Sequence, residues 1–246
     1  TVIRKNDFTG FAEAFRIMLT NVKFLIKDKK EGEAVVIMVS SSIKGEGKTT
    51  ISTNTALALA QNRKVLLIGA DLRNPQLKKF TSHTNKRGLS DFLASKQAET
   101  SLDSFIQTSN LNPNLDILPS GSIPPNPTYL LSNANMDKIY SALQSKYEFI
   151  ILDTAPMLLV SDSFHLIQYT DLLLYVMRAD FTDVDMLEVA SEINRENAEG
   201  KLAIVLNDVK NRNISHYDKK YGYGYFSDDN KAKKGNELFK WFKKFT

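Results

Sequence analysis

The 246-residue chain contains no cysteine. That excludes disulfide scaffolds, thiolate metal sites and cysteine nucleophiles, and it fits a reducing compartment. Long apolar runs are missing too. The longest, such as Ala34 to Val39, reach six residues, whereas a membrane span needs roughly 18 or more. No signal peptide opens the chain. No Gly-X-Y period, heptad run or longer repeat is present, which excludes collagen, coiled coil and solenoid. The three histidines, His83, His165 and His216, are not at ligand spacing, so no metal site is assigned to them. The first residue is Thr1, not Met, which reads as a piece cut from a longer protein. Against 28 acidic residues stand 32 basic ones, a net charge of +4. The basic residues are spread along most of the chain, so no nucleic-acid partner is expected.

What remains is an ordinary globular composition, 42% hydrophobic and 24% charged. Phe8 to Lys27 carries Phe11, Phe15, Met18, Val22 and Leu25 at spacings of three and four, the mark of an amphipathic helix covering a core. Short Val-, Ile- and Leu-rich runs follow at Ala34–Val39, Val65–Ile68, Leu115–Leu118, Phe149–Leu152, Leu172–Val176 and Leu202–Leu206. Most are near-continuously apolar, as expected of parallel strands buried on both faces. Helical patterns lie between them at Thr49–Gln61, Pro127–Lys146, Ser161–Gln168 and Asp183–Asn197. Strand alternating with helix predicts an α/β fold, a doubly wound and mostly parallel sheet with helices on both faces. Residues 1–210 read as one domain and 211–246 as a flexible basic tail. Lys231 to Thr246 alone holds six lysines and one glutamate.

The strongest chemical signal follows the first strand. Ser40-Ser41-Ser42-Ile43-Lys44-Gly45-Glu46-Gly47-Lys48-Thr49-Thr50 runs from a strand into a helix. Glycines let such a loop turn its N–H groups onto phosphate oxygens, and the helix N-terminus adds positive charge. Lys48 is placed for the β and γ phosphates of ATP or ADP, and the Thr49 hydroxyl for Mg²⁺. Ser42 stands where the usual pattern has glycine. Two strands end in acids. Phe149-Ile150-Ile151-Leu152-Asp153 has the form of a Walker B element, with Asp153 holding Mg²⁺. Val65-Leu66-Leu67-Ile68-Gly69-Ala70-Asp71-Leu72-Arg73 supplies Asp71 as metal ligand or general base, since ligands of such sheets sit at the carboxyl ends of the strands. Arg73 either touches phosphate or pairs with a carboxylate. Asp162 either caps a helix or lies near the site.

Together these elements resemble the deviant Walker, ParA/MinD-like branch of P-loop ATPases and, within it, the bacterial tyrosine kinases of capsule and exopolysaccharide export. The resemblance rests on Glu13-Ala14-Phe15-Arg16 with Thr20-Asn21, on Gly45 to Thr50, on Ala70-Asp71-Leu72-Arg73-Asn74-Pro75, on Gly88 to Leu93, on Leu118-Pro119-Ser120-Gly121 with Pro124-Pro125-Asn126-Pro127, and on Ile151 to Pro156. It ends in a tail bearing Tyr217, Tyr221, Tyr223 and Tyr225. It implies an ATP- and Mg²⁺-dependent autokinase that phosphorylates those four tyrosines on neighbouring subunits. It also implies a homo-oligomeric ring joined through the first helix (Glu13, Arg16 and Asn21). The partners implied are a membrane-spanning polysaccharide chain-length regulator, fused or separate, and a cognate tyrosine phosphatase. The implied location is the cytoplasmic face of the bacterial inner membrane. By the same resemblance Asn207 contacts adenine, with a turn asparagine as the alternative. The rival within the same branch is an ATPase switch that phosphorylates no protein.

The sequence departs from the pattern at three places. Gly69 replaces the first acid of the family's Asp-x-Asp, Leu19 replaces an arginine of the first helix, and Lys44 stands where proline is frequent. Lys44 either reaches a neighbour's nucleotide or is a solvated loop residue. The segment Leu238 to Phe245, with the sole tryptophan Trp241, reads either as an amphipathic helix on an anionic membrane or as a tail on its own domain.

Overall fold

The computed structural model describes residues 1–4, 7, 9–26, 29, 32–80, 87–95, 101–131 and 135–210. The tail 211–246, with its four tyrosines and Trp241, lies outside the described residues.

The first helix, α1, spans Gly10–Leu25. It starts later than the periodicity predicts because Thr9 caps it, its hydroxyl accepting from the Ala12 N–H at 3.3 Å. Ala12, Phe15 and Val22 are buried, and the Phe11 and Phe15 rings meet at 5.2 Å. The apolar stripe stops at Val22. Leu25 and its neighbour Phe24 are exposed, contrary to the expectation for Leu25.

Seven strands form one sheet: β1 (Val35–Ser41), β2 (Val65–Gly69), β3 (Gln107–Thr108), β4 (Leu115–Leu118), β5 (Phe149–Asp153), β6 (Leu172–Arg178) and β7 (Leu202–Asn207). Their spatial order is β3-β4-β2-β5-β1-β6-β7. Every pairing is parallel except β3 with β4. The predicted runs become strands within one or two residues at each end. The two-residue β3 carries no periodicity and could not be foreseen.

Successive side chains on each strand enter opposite cores. Val36 and Met38 of β1, Leu66 and Ile68 of β2, and Ile150 and Leu152 of β5 join one core; Ile37, Val39, Val65, Leu67 and Ile151 join the other. The second core is covered by α1 and by α2 (Lys48–Leu59). The first is covered by α3 (Leu89–Ala94), α4 (Pro127–Leu131), α5 (Asn135–Leu143), α6 (Met186–Glu196) and a 3₁₀ helix at Ser161–Tyr169. Of the helix expected over Pro127–Lys146, the described residues form α4 and α5; residues 132–134 lie outside the described set. The segment expected at Ser161–Gln168 winds as 3₁₀ rather than α. α6 begins three residues later than expected because residues 183–188 take i→i+3 turns (Met186 N–H to Asp183 C=O, 3.1 Å).

The crossovers fix the site. β1 reaches β2 through α2, on one face and over β5, whereas β5 reaches β6 through the 3₁₀ helix, on the other face and over β1. Connections leaving a strand pair to opposite faces open a crevice at the carboxyl ends, where ligands of this architecture bind.

Candidate active site

The loop between β1 and α2 is held from below by its own serines. Ser40 donates to the Ala155 carbonyl at 2.9 Å, Ser41 to the Ile43 carbonyl at 2.8 Å, and Ser42 accepts from the buried Tyr175 hydroxyl at 3.1 Å. Serine in place of glycine at 42 is therefore used, since it satisfies a phenol in the middle of β6. Gly47 precedes α2 with φ of 100°, and an added Cβ would lie 2.1 Å from the Asn207 amide nitrogen. Only glycine fits there. The Asn207 amide instead donates to the Glu46 carbonyl at 2.8 Å, so Asn207 braces the loop from the end of β7.

Glu46 ties the loop a second time. One carboxylate oxygen accepts from the Ile43 N–H at 2.7 Å and the other from the Thr182 hydroxyl at 2.5 Å. Arg178, paired with Asp208 at 2.9 Å, donates to the Gly45 carbonyl at 3.3 Å. Thr182 and Arg178 were not legible as site residues. The one available signal was Tyr175, a hydroxyl in an apolar strand that had to find a partner.

Lys48 is buried, and its ammonium donates to Ser41 Oγ at 3.0 Å. Burial pushes it below the ordinary lysine range, against the pull of Asp153, Asp71 and Glu46. Thr49 donates to Asp153 Oδ2 at 2.8 Å. Asp153 is 2% exposed, and among the described residues its Oδ1 has no hydrogen-bond partner. Burial raises its pKa to about 6, although the nearby Thr49 and Ser52 hydroxyls and Lys48 oppose the shift. Asp71, half-buried, uses Oδ1 to accept from the Arg73 and Asn74 N–H groups at 3.2 and 2.9 Å. Its own N–H donates to the Asp153 carbonyl at 3.0 Å, which stitches the two acidic strand ends together.

Arg73 pairs with a carboxylate: its Nε lies 2.6 Å from Asp162 Oδ2, and Thr128 bonds the other Asp162 oxygen. Asp162 lies inside the 3₁₀ helix, whose cap is Val160, so it is no N-cap. Gly69 faces Ser120. An added Cβ would come within 2.5 Å of its hydroxyl and 2.9 Å of its backbone nitrogen. Glu13 and Arg16 pair with each other at 2.7 Å on the outer side of α1, where Asn21 is exposed.

The cleft above these groups has a volume of about 490 Å³. Lys44, Gly45, Lys48 and Thr49 line one wall, Asp71 and Arg73 another, and Pro156 and Leu159 the rim. The donor set fits Mg²⁺ with a phosphate ester. It has a hydroxyl, an unpartnered buried carboxylate oxygen and a second acid, with a lysine beside them. Among the described residues no three acidic or histidine side chains form a closed cage. That suits an ion that keeps its waters and shares substrate phosphates.

Residues 34–204 match a family model described as AAA domain. Tyrosine-protein kinase CpsD of Streptococcus agalactiae is 35% identical over 86% of this chain and 89% of its own length. The solved kinase domain of Escherichia coli tyrosine kinase ETK superposes with a TM-score of 0.73 at 29% identity, covering 82% of this chain and 76% of that one. The septum site-determining protein MinD of Pyrococcus horikoshii shares the fold alone, with a TM-score of 0.56 and 23% identity over 70% of this chain and 68% of its own.

Proposed function

The chain belongs to the AAA-domain family, among the bacterial tyrosine-protein kinases, and from that membership we propose how its cleft transfers the terminal phosphoryl group of ATP to tyrosines of its own C-terminal tail. The observation that carries the proposal is the meeting of Lys48 and the half-satisfied Asp153 at the floor of a phosphate loop.

Phosphoryl transfer asks little covalent help of a protein; it asks for positioning and charge compensation. The N–H groups of the loop and of the first turn of α2 cradle the phosphates. Lys48 leaves Ser41 for the β and γ oxygens. Thr49 and Asp153 would hold Mg²⁺, which would offset charge on the phosphates, with Asp71 beside them left to act as base. The acceptor phenol attacks the γ-phosphorus. Its O–P bond forms as the bond to the β-bridging oxygen breaks, ADP leaves, and the phenolic proton passes to Asp71. The acceptors are Tyr217, Tyr221, Tyr223 and Tyr225, presented by a neighbouring subunit of a ring built on Glu13, Arg16 and Asn21. Each phosphate adds about −1.5 to −2 charges to a basic tail, a change suited to releasing it. The setting is polysaccharide export at the inner face of a membrane, beside a chain-length regulator and a phosphatase that resets the tail. Among the described residues no helix is long and apolar enough to cross a membrane.

Dephosphorylated protein incubated with ATP and Mg²⁺ is expected to gain phosphate on the tail tyrosines by peptide mass spectrometry, whereas Lys48→Met gains none. Consumption of ATP with no phosphotyrosine overturns the reading.

A further inference from the structure

The approach to α6 carries an exposed surface that the phosphoryl-transfer chemistry does not use. Phe181, Val184 and Leu187 are 49%, 74% and 46% exposed. Val184 and Leu187 lie one i→i+3 turn apart (Leu187 N–H to Val184 C=O, 2.9 Å) and so share one face, and Phe181, its ring 5.2 Å from the Arg178 guanidinium, lies just before that turn. Asp183, Asp185, Glu188 and Glu192 neighbour them in sequence, all exposed and none in an ion pair among the described residues. Three adjacent exposed apolar side chains in an acidic frame mark a contact surface rather than scattered surface residues.

We propose that this surface docks the chain's own residues 238–245, Leu-Phe-Lys-Trp-Phe-Lys-Lys-Phe. The chemistry is complementary. The segment offers five apolar side chains (Leu238, Phe239, Trp241, Phe242, Phe245) for Phe181, Val184 and Leu187. Lys240, Lys243 and Lys244, with Lys231, Lys233 and Lys234 just before them, meet the acidic frame. The starting point of the tail also fits. Lys210, at the end of the described chain, pairs with Asp180 at 2.9 Å, one residue before Phe181. The tail therefore departs from the border of the surface its far end would return to. Residues 211–237 become a loop closed at both ends, and lengthening such a loop raises its closure cost only slowly.

The surface also touches the phosphate loop. The Phe181 ring lies 3.3 Å from where a Cβ on Gly45 would sit, and the next residue, Thr182, holds Glu46.

Trp241 is the only tryptophan of the chain, so its emission reads the docking directly and without turnover, independently of the kinase reading. In the full-length protein, without lipid, the emission is expected to be blue-shifted relative to a water-exposed indole, and to stay so on dilution. Val184→Asp with Leu187→Asp on the surface, and separately Phe242→Asp on the tail, are each expected to shift it to the exposed position. The tail variant leaves the described fold untouched, so agreement between the two excludes a folding artefact. Emission already at the exposed position in the unaltered protein overturns the proposal, as does indifference to both variants. A blue shift lost on dilution overturns it in favour of a second copy. One that arises only with phosphatidylglycerol–phosphatidylcholine vesicles overturns it in favour of a membrane.

Discussion

The two ends of the sheet each bury an aspartate, and they treat it differently. At the amino end of the strands Asp116 of β4 accepts from the Tyr147 hydroxyl at 3.0 Å and pairs with Lys64 at 2.8 Å. At the carboxyl end Asp153 of β5 has one oxygen on Thr49 and the other on no partner among the described residues. A buried carboxylate with its partners in place supports the fold; one left short of partners carries a standing cost, and a metal–nucleotide complex can relieve it. The first acid belongs to stability and the second to chemistry, although both sit in the same sheet.

The sharpest way to break this contrast is to neutralise the acids one at a time. Asp153→Asn is expected to lower tyrosine phosphorylation by roughly 10²-fold or more, the scale of removing one preorganised charge from a transition state. Asp116→Asn, measured beside it, is expected to leave the rate within a few-fold and to lower the melting temperature. Equal loss of rate in both would erase the distinction.

A second test uses pH. The folded pKa of Asp153 is raised to about 6 from an ordinary 3.8, so the folded state binds its proton more tightly than the unfolded one. Without ligand, its destabilising contribution is absent below about 3.8 and complete above about 6, worth up to about 3 kcal/mol. Ligand-free protein is therefore expected to lose stability from this group as pH rises from 4 to 7. Chemical denaturation across that range should show the trend flattened in Asp153→Asn, and Mg²⁺–ADP should flatten it in the unaltered protein. An unaltered slope in the asparagine variant would count against the assignment.

The smallest effect belongs to the support at the amino end. Tyr147→Phe removes one hydrogen bond to Asp116 while Lys64 remains. It is expected to cost about 1 kcal/mol by denaturant titration and to leave phosphorylation unchanged.

Much of this was legible beforehand, for identifiable reasons. Six strands were visible because near-continuous apolar runs cannot be mistaken for polar loops, although the last, β7, is not buried on both faces: Ile204 and Leu206 are exposed at the edge of the sheet. Lys48, Thr49 and Asp153 were visible because the spacing of a phosphate loop and an acid ending a strand are local patterns. The brace by Thr182 and Arg178 was hidden because both lie more than 130 residues from the loop they hold and nothing local marks them; Asn207 was picked out through the resemblance, but for a contact with adenine rather than for its bond to the loop. β3 was hidden because two residues have no period. The stripe of α1 was overread at Leu25, since period alone does not tell where a helix outruns the surface it covers. The tail was readable only as composition.

The packing of Gly69 against Ser120 also bears on how such a sequence can change. An acid at 69 would need more than a new side chain, because even its first carbon would collide with the backbone nitrogen of Ser120 as well as its hydroxyl. Trimming Ser120 clears only half of the obstruction. The loop after β4 would have to move in the same step, so every single-substitution route back to the paired-acid form passes through a damaged intermediate. Gly69 thus works as a latch: the neighbouring segment has closed over it, and β2 is left with one strand-end acid rather than two.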